Sequence, residues 1–123
     1  MIDWESLAQR LNADGEFGIA ARHWTATLRL DVAGESHAIR LDDGQVTGVT
    51  ACAATHACDV FITAPRHTWD QMLQPVPRPF YHDLLAAAAH HDVRLNSDWL
   101  DIAAYYPALR RLVEILRESR DVR

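Results

Sequence analysis

The sequence contains no lysine: all 12 basic residues are arginine. Arginine is always charged and serves neither as a tuned amine base nor as a Schiff-base former, so lysine chemistry is excluded. Cysteine is scarce, with two in 123 residues. That is too few for a disulfide scaffold, and free thiols in a cytoplasmic chain are the expectation. Long apolar runs are missing. The longest, Leu84 to Ala89, has six residues, so no span of a bilayer and no integral membrane protein is expected. No basic start followed by an apolar stretch opens the chain, so no secretory leader is expected. Excess positive charge is absent too. The formal net charge is −5, which argues against nucleic acid as a partner. There is no glycine-rich phosphate loop, no Gly-x-Ser-x-Gly elbow and no His-Glu-x-x-His pair. No internal repeat or low-complexity tract interrupts the chain.

What is present is an ordinary globular composition, 49% hydrophobic. The length suits a single domain over residues 1–123, large enough to bury about two-thirds of its unfolded surface. Trp4, Leu7, Ala8 and Leu11 fall on one helical stripe, with Asp3 to cap it and Asp14-Gly15 to end it. From Trp24 to Val32 the even positions are apolar and the odd positions are Thr25, Thr27, Arg29 and Asp31. Such alternation predicts a strand with one dry and one wet face. His37, Ile39 and Leu41 repeat the pattern after Gly34. Asp43-Gly44 is a hairpin signal, and Gln45 to Thr50 returns as a third strand.

Asp59 to Thr63 reads as a fourth strand, continuing an antiparallel meander. Pro65 then opens a helix in which Trp69, Met72 and Leu73 share a face. Pro75, Pro77 and Pro79 make a stiff connector. A helix is predicted over Phe80 to Ala89, a short fifth strand over Val93 to Asn96, and a short helix over Trp99 to Tyr105 capped by Ser97 or Asp98. Pro107 starts a last helix with Leu109, Leu112, Val113 and Leu116 on one side. The order is one helix, a meander of four strands, two helices, one strand and two helices. It predicts an α+β fold, a five-stranded mainly antiparallel sheet with helices packed on one face.

This order resembles the sterol carrier protein family of lipid-binding domains. Three segments carry the likeness: TLRLDVAGESHAIRLDDGQVTGV, DVFITAPRHTWDQML and DVRLNSDWLDIAAYYPALRRLVEILR. The likeness covers roughly Trp4 to Glu118, most of the chain, and the specificity lies in the ordered combination of these segments. One departure is Asn96-Ser97-Asp98, where the family commonly has a Gly-Asp turn. The resemblance implies a hydrophobic cavity between sheet and helices that holds a sterol, a fatty acyl chain or a similar apolar ligand. It implies no catalytic group and no cofactor. Family members also occur as accessory domains of larger enzymes, so a second copy or a partner enzyme is the expected protein partner.

An apolar ligand needs a concave greasy wall with few polar groups. The residues expected to supply it are Phe61, Trp69, Met72, Leu73, Phe80, Leu84, Trp99, Tyr105, Leu112 and Leu116. The competing reading of each is a filled core. Other constellations carry less. His90-His91-Asp92 has adjacent imidazoles that diverge, a poor metal chelate and a better solvated helix end. Cys52, His56 and Cys58 match no zinc spacing, so no metal site is expected. His67 and Asp70 stand at i and i+3, a surface pair. The arginine-rich end from Arg110 onward reads as a solvated helix face.

Two rival functions remain at this point. A small cone-shaped isomerase, dehydratase or cyclase would need an acid–base group deep in the cavity, with His23, His37 and Asp59 as candidates. A non-catalytic interaction or dimerisation domain would instead present an apolar surface patch or the Pro75–Pro79 connector.

Overall fold

The computed structural model describes residues 2–81, 83–96 and 99–120. Its elements are α1 (Trp4–Ala13), α2 (Gly15–Ala20), β1 (Ala26–Val32), β2 (Glu35–Asp42), β3 (Gln45–Cys52), β4 (Val60–Ala64), α3 (Arg66–Met72), α4 (Leu84–His90), β5 (Arg94–Leu95) and α5 (Trp99–Arg120). One five-stranded sheet runs in the order β3-β2-β1-β4-β5. It is α+β and mostly antiparallel, as expected. No described helix is long and apolar enough to cross a membrane.

The alternation of β1 sets the layers. Ala26, Leu28 and Leu30 are buried while Thr27, Arg29 and Asp31 are half-buried. Register carries the same face across the sheet, with Leu28 opposite Ile39 and Val60, and Leu30 opposite His37 and Ile62. Helices cover that face, contributing Leu7 and Leu11, Phe17, Trp69 and Met72, Leu84 and Ala87, and the inner side of α5 to one continuous core. Both hairpins turn on two residues with positive φ, Ala33-Gly34 and Asp43-Gly44, the geometry that matches the strand twist. Gly44 is required for a second reason. Its N–H donates to the Trp24 carbonyl at 2.9 Å, and a Cβ there would stand 3.0 Å from the Ala21 carbonyl oxygen.

Three expectations are corrected. The meander stops at three strands, because β4 pairs with β1 in parallel. A parallel neighbour needs a crossover, and residues 53–59 provide it without a helix. The second correction is α2. Asp14 ends α1 but also caps α2, accepting from the Phe17 amide at 2.8 Å. Third, the helix expected from Phe80 starts only at Leu84. Phe80 is left-handed at φ 68, and the Asp83 carboxylate caps α4 through the Ala86 amide at 3.1 Å. The two late helices are present as expected, running together as α5 but broken at Tyr105, whose backbone is not helical (φ −121, ψ 23). Pro107 causes the kink, since its ring crowds the preceding turn and removes a donor. Ser97 and Asp98, expected to turn and cap there, lie outside the described residues, as does the arginine-rich end beyond 120.

Polar clasps fasten the helices. The Arg111 guanidinium grips Asp14 through two bonds of 2.8 and 3.0 Å, tying α5 to the α1–α2 corner. Charge-assisted bidentate pairs of this kind are the strong ones. Asp14 is accordingly held below the usual carboxylate range, chiefly by the Arg111 hydrogen bonds. Arg117 donates from Nε to the Met72 carbonyl at 2.9 Å and so closes the end of α3.

Candidate functional site

A half-open cleft of about 460 Å³ lies where the start of α1, the β1–β2 turn and α3 meet. Ile2, Trp4, Val32, Ala33, Trp69 and Leu73 form its apolar walls; Glu35, Arg66 and Asp70 stand among them. The volume falls within the range of small-molecule sites. Local sequence explains the walls. Pro65 opens α3, and Trp69 and Leu73, one helical turn apart, point inward at 1% and 3% exposure. The Trp69 indole N–H donates to the Asp31 carbonyl at 2.9 Å, which fixes the ring. Trp4 lies flat on His37, with ring centroids 3.9 Å apart and planes 7° from parallel. Behind that stack, His37 Nδ1 is buried and unbonded among the described residues. Burial pushes the His37 imidazole below its ordinary value, against the opposing pull of Glu35. Among the described residues Arg66 makes no ion pair.

Of the ten residues expected at a ligand, Trp69 and Leu73 line the cleft. Met72, Leu84, Leu112 and Leu116 sit in the sealed core at 2% exposure or less. Phe61 lies opposite Arg29 in register and beneath its guanidinium, 5.0 Å from the ring centroid, on the face away from Leu28 and Leu30. Tyr105 stacks on Trp24 at 4.4 Å. Phe80 and Trp99 are 46% and 52% exposed, and Val76, Leu85 and Leu100 are exposed as well. The ten therefore divide among cleft, core, far face and surface. Sequence reasoning did not place Ile2, Trp4 or Val32 at the cleft. Trp4 had a signal in its position at the first turn of a helix, but it read as ordinary core.

The residues weighed for other chemistry do not converge. None of His23, His37 and Asp59 is among the cleft-lining residues. His23 and Asp43 form an exposed pair at 3.4 Å. Asp59 is exposed and accepts from the Thr27 amide at 2.8 Å. His90 and His91 stack on Phe80 and Tyr81 at 4.0 and 3.6 Å, fastening the proline-rich segment to the end of α4. His67 lies 3.7 Å from Asp92, and both of these partners are exposed. Cys52 and Cys58 are free and half-buried, and burial pushes the Cys58 thiol up. No group of three His, Cys, Asp or Glu among the described residues is placed to hold a metal ion.

One polar knot joins α4 to α5. The Tyr106 hydroxyl donates to Asp83 and accepts from the Leu85 amide at 3.0 Å. Burial first, then the Asp83 hydrogen bond, pushes the phenol up to about 12. Such a group is a neutral structural donor at physiological pH, not a base.

No protein-family model matches the sequence, and no curated protein matches it. Solved structures match its shape. Sterol carrier protein 2, in a crystal structure, superposes with a TM-score of 0.78 at 24% identity, over 97% of each chain. A ubiquinone synthesis protein, UbiJ-SCP2, gives 0.57 at 20% identity, over 91% of this chain and 88% of that one. The stereoselective inverting sec-alkylsulfatase Pisa1 from a Pseudomonas species gives 0.56 at 21% identity; 92% of this chain corresponds to 15% of that one. The chain has the sterol carrier protein 2 fold.

Proposed function

We propose that this chain, acting as one domain over residues 1–123, binds and carries an apolar, lipid-like molecule and is not itself a catalyst. The supporting observation is the fold shared with sterol carrier protein 2 over 97% of both chains. That protein's name states a sterol cargo; a fatty acyl chain fits the same chemistry. The cleft at Trp4, Trp69 and Leu73 is the proposed mouth. The apolar body runs inward between sheet and helices toward Met72, Leu112 and Leu116, members of the same core. Met72 suits this place because its flexible thioether side chain repacks at small cost. Leu84 and Tyr105 are proposed as the farther walls; Phe61, on the opposite face of the sheet, and the exposed Phe80 and Trp99 are not among them. Binding is driven by apolar burial at roughly 25 cal/mol per Å², less the cost of ordering the ligand. With two free cysteines, the proposed setting is the cytoplasm.

The test is a titration with a long-chain fatty acid and, separately, a steroid, read by tryptophan fluorescence. Saturable change from Trp4 and Trp69 supports the reading. Glu35→Trp fills the cleft from an exposed position and is expected to weaken binding at least about tenfold without loss of fold. If neither probe changes the spectrum or adds mass to the protein, the reading fails.

A further inference from the structure

We infer that the outer edge of β3 pairs with the same edge of a second copy of this chain, about a two-fold axis, to make one continuous sheet. The inference does not depend on the ligand. β3 ends the sheet, with β2 on one side and no strand on the other. Its two halves differ. At the start, both backbone groups of Val46 are occupied by the Asn12 side chain: the Val46 amide donates to Oδ1 at 2.8 Å, and Nδ2 donates to the Val46 carbonyl at 2.9 Å. The register also shifts there, between Arg40 and Leu41 on β2. A side-chain plug and a bulge are devices that stop an edge from recruiting another strand.

From Gly48 to Cys52 these devices are missing. Apart from the ladder with β2, no hydrogen bond reaches this stretch among the described residues, and Thr50 and Ala51 are exposed. From Gly44 to Thr55 there is no charged residue and no proline, in a chain where 24% of residues are charged. Edge strands are ordinarily guarded by such residues.

The same composition selects the partner. An antiparallel pairing about a two-fold axis sets each residue against its symmetry mate or a near neighbour. A charge close to the axis would therefore meet its own sign. This strand carries none, so it is complementary to itself. Centring the axis on Thr50 sets Thr50 against Thr50 and Val49 against Ala51 of the second copy. The threonine and valine side chains favour extended pairing.

The experiment is sedimentation equilibrium of the full chain across a wide concentration range, with amide hydrogen exchange on the same samples. The expected result is a mass that rises from 13.9 kDa toward twice that value, with amides of Gly48 to Cys52 protected as it rises. Thr50→Lys alters an exposed side chain, so the fold is retained by circular dichroism, while dimer affinity falls about tenfold or more. Asn12→Ala, at the plugged half, leaves dimer affinity unchanged. A chain that stays monomeric throughout overturns the inference. So does a dimer that is indifferent to Thr50→Lys and leaves these amides unprotected, and so does protection that appears only with a different protein on the edge.

Discussion

The two faces of the sheet come from alternate residues of the same strands and are closed in different ways. Toward the helices, Leu28, Leu30, Ile39, Val60 and Ile62 are each at most 1% exposed, and shape alone holds them. On the far face, the Arg29 and Asp31 side chains are only 13% and 14% exposed, although no helix covers them. There the crossover of residues 53–59 passes over the sheet. Arg29 holds it by donating to the His56 carbonyl at 3.2 Å. Asp31 gathers Arg29, Ser36 and Thr63 as donors. Burial pushes the Asp31 carboxyl up, but those hydrogen bonds outweigh it and hold the group below its usual range. A sheet face without a helix is thus closed by a crossing loop and a polar lattice. The parallel fourth strand and the polar network on β1 are two consequences of one topological step.

The largest expected effect is on the dry face. Leu30→Ala removes a fully buried side chain and should cost about 3 kcal/mol in urea unfolding. On the polar face, Asp31→Ala leaves Arg29 without its partner and should cost about 2 kcal/mol, discounted for partial exposure. A loss under about 0.5 kcal/mol would show that water holds this face and that the contrast is false. Asp31 also sets an acid limit. Its folded pKa is depressed, so its stabilisation is full above the ordinary carboxylate range and is lost as pH falls from that range through the lower folded value. Asp31→Asn should therefore show a shallower fall in stability with acid.

Thr63→Val removes one donor to Asp31 and should cost about 1 kcal/mol, measured in the same way. The smallest effect expected is a pH slope. The His37 imidazole lies below its ordinary value of 6.5 through burial, so the unfolded chain takes up that proton first. Stability should fall slightly as pH drops below that value, and His37→Phe should flatten the slope.

How much of this was legible depends on which signal each residue emits. Period-two alternation from Trp24 to Val32 and the Asp43-Gly44 turn fixed three strands and their pairing, because a register slip would expose the whole dry set. The direction of β4 was not legible. Val60, Phe61 and Ile62 read the same in a parallel or an antiparallel ladder. The helix α2 has six residues, two of them glycine, too short and too weak for periodicity to register. Phe80 looked like a helix residue by type, and its positive φ leaves no mark in composition. The cleft was the least legible. Apolar identity predicted both Trp69, at the cleft, and Leu112, sealed in the core, because burial against protein and burial against a ligand select the same side chains. Trp4 and Ile2 reach the site only through the packing of α1 against the end of the sheet.

The most direct measurement is native mass spectrometry of the protein freshly purified from cells, repeated after organic extraction and again after adding a fatty acid or a steroid. The expected result is a discrete added mass that disappears on extraction and returns with one of the two probes. A bare mass of 13.9 kDa before and after, unchanged by either probe, would contradict it.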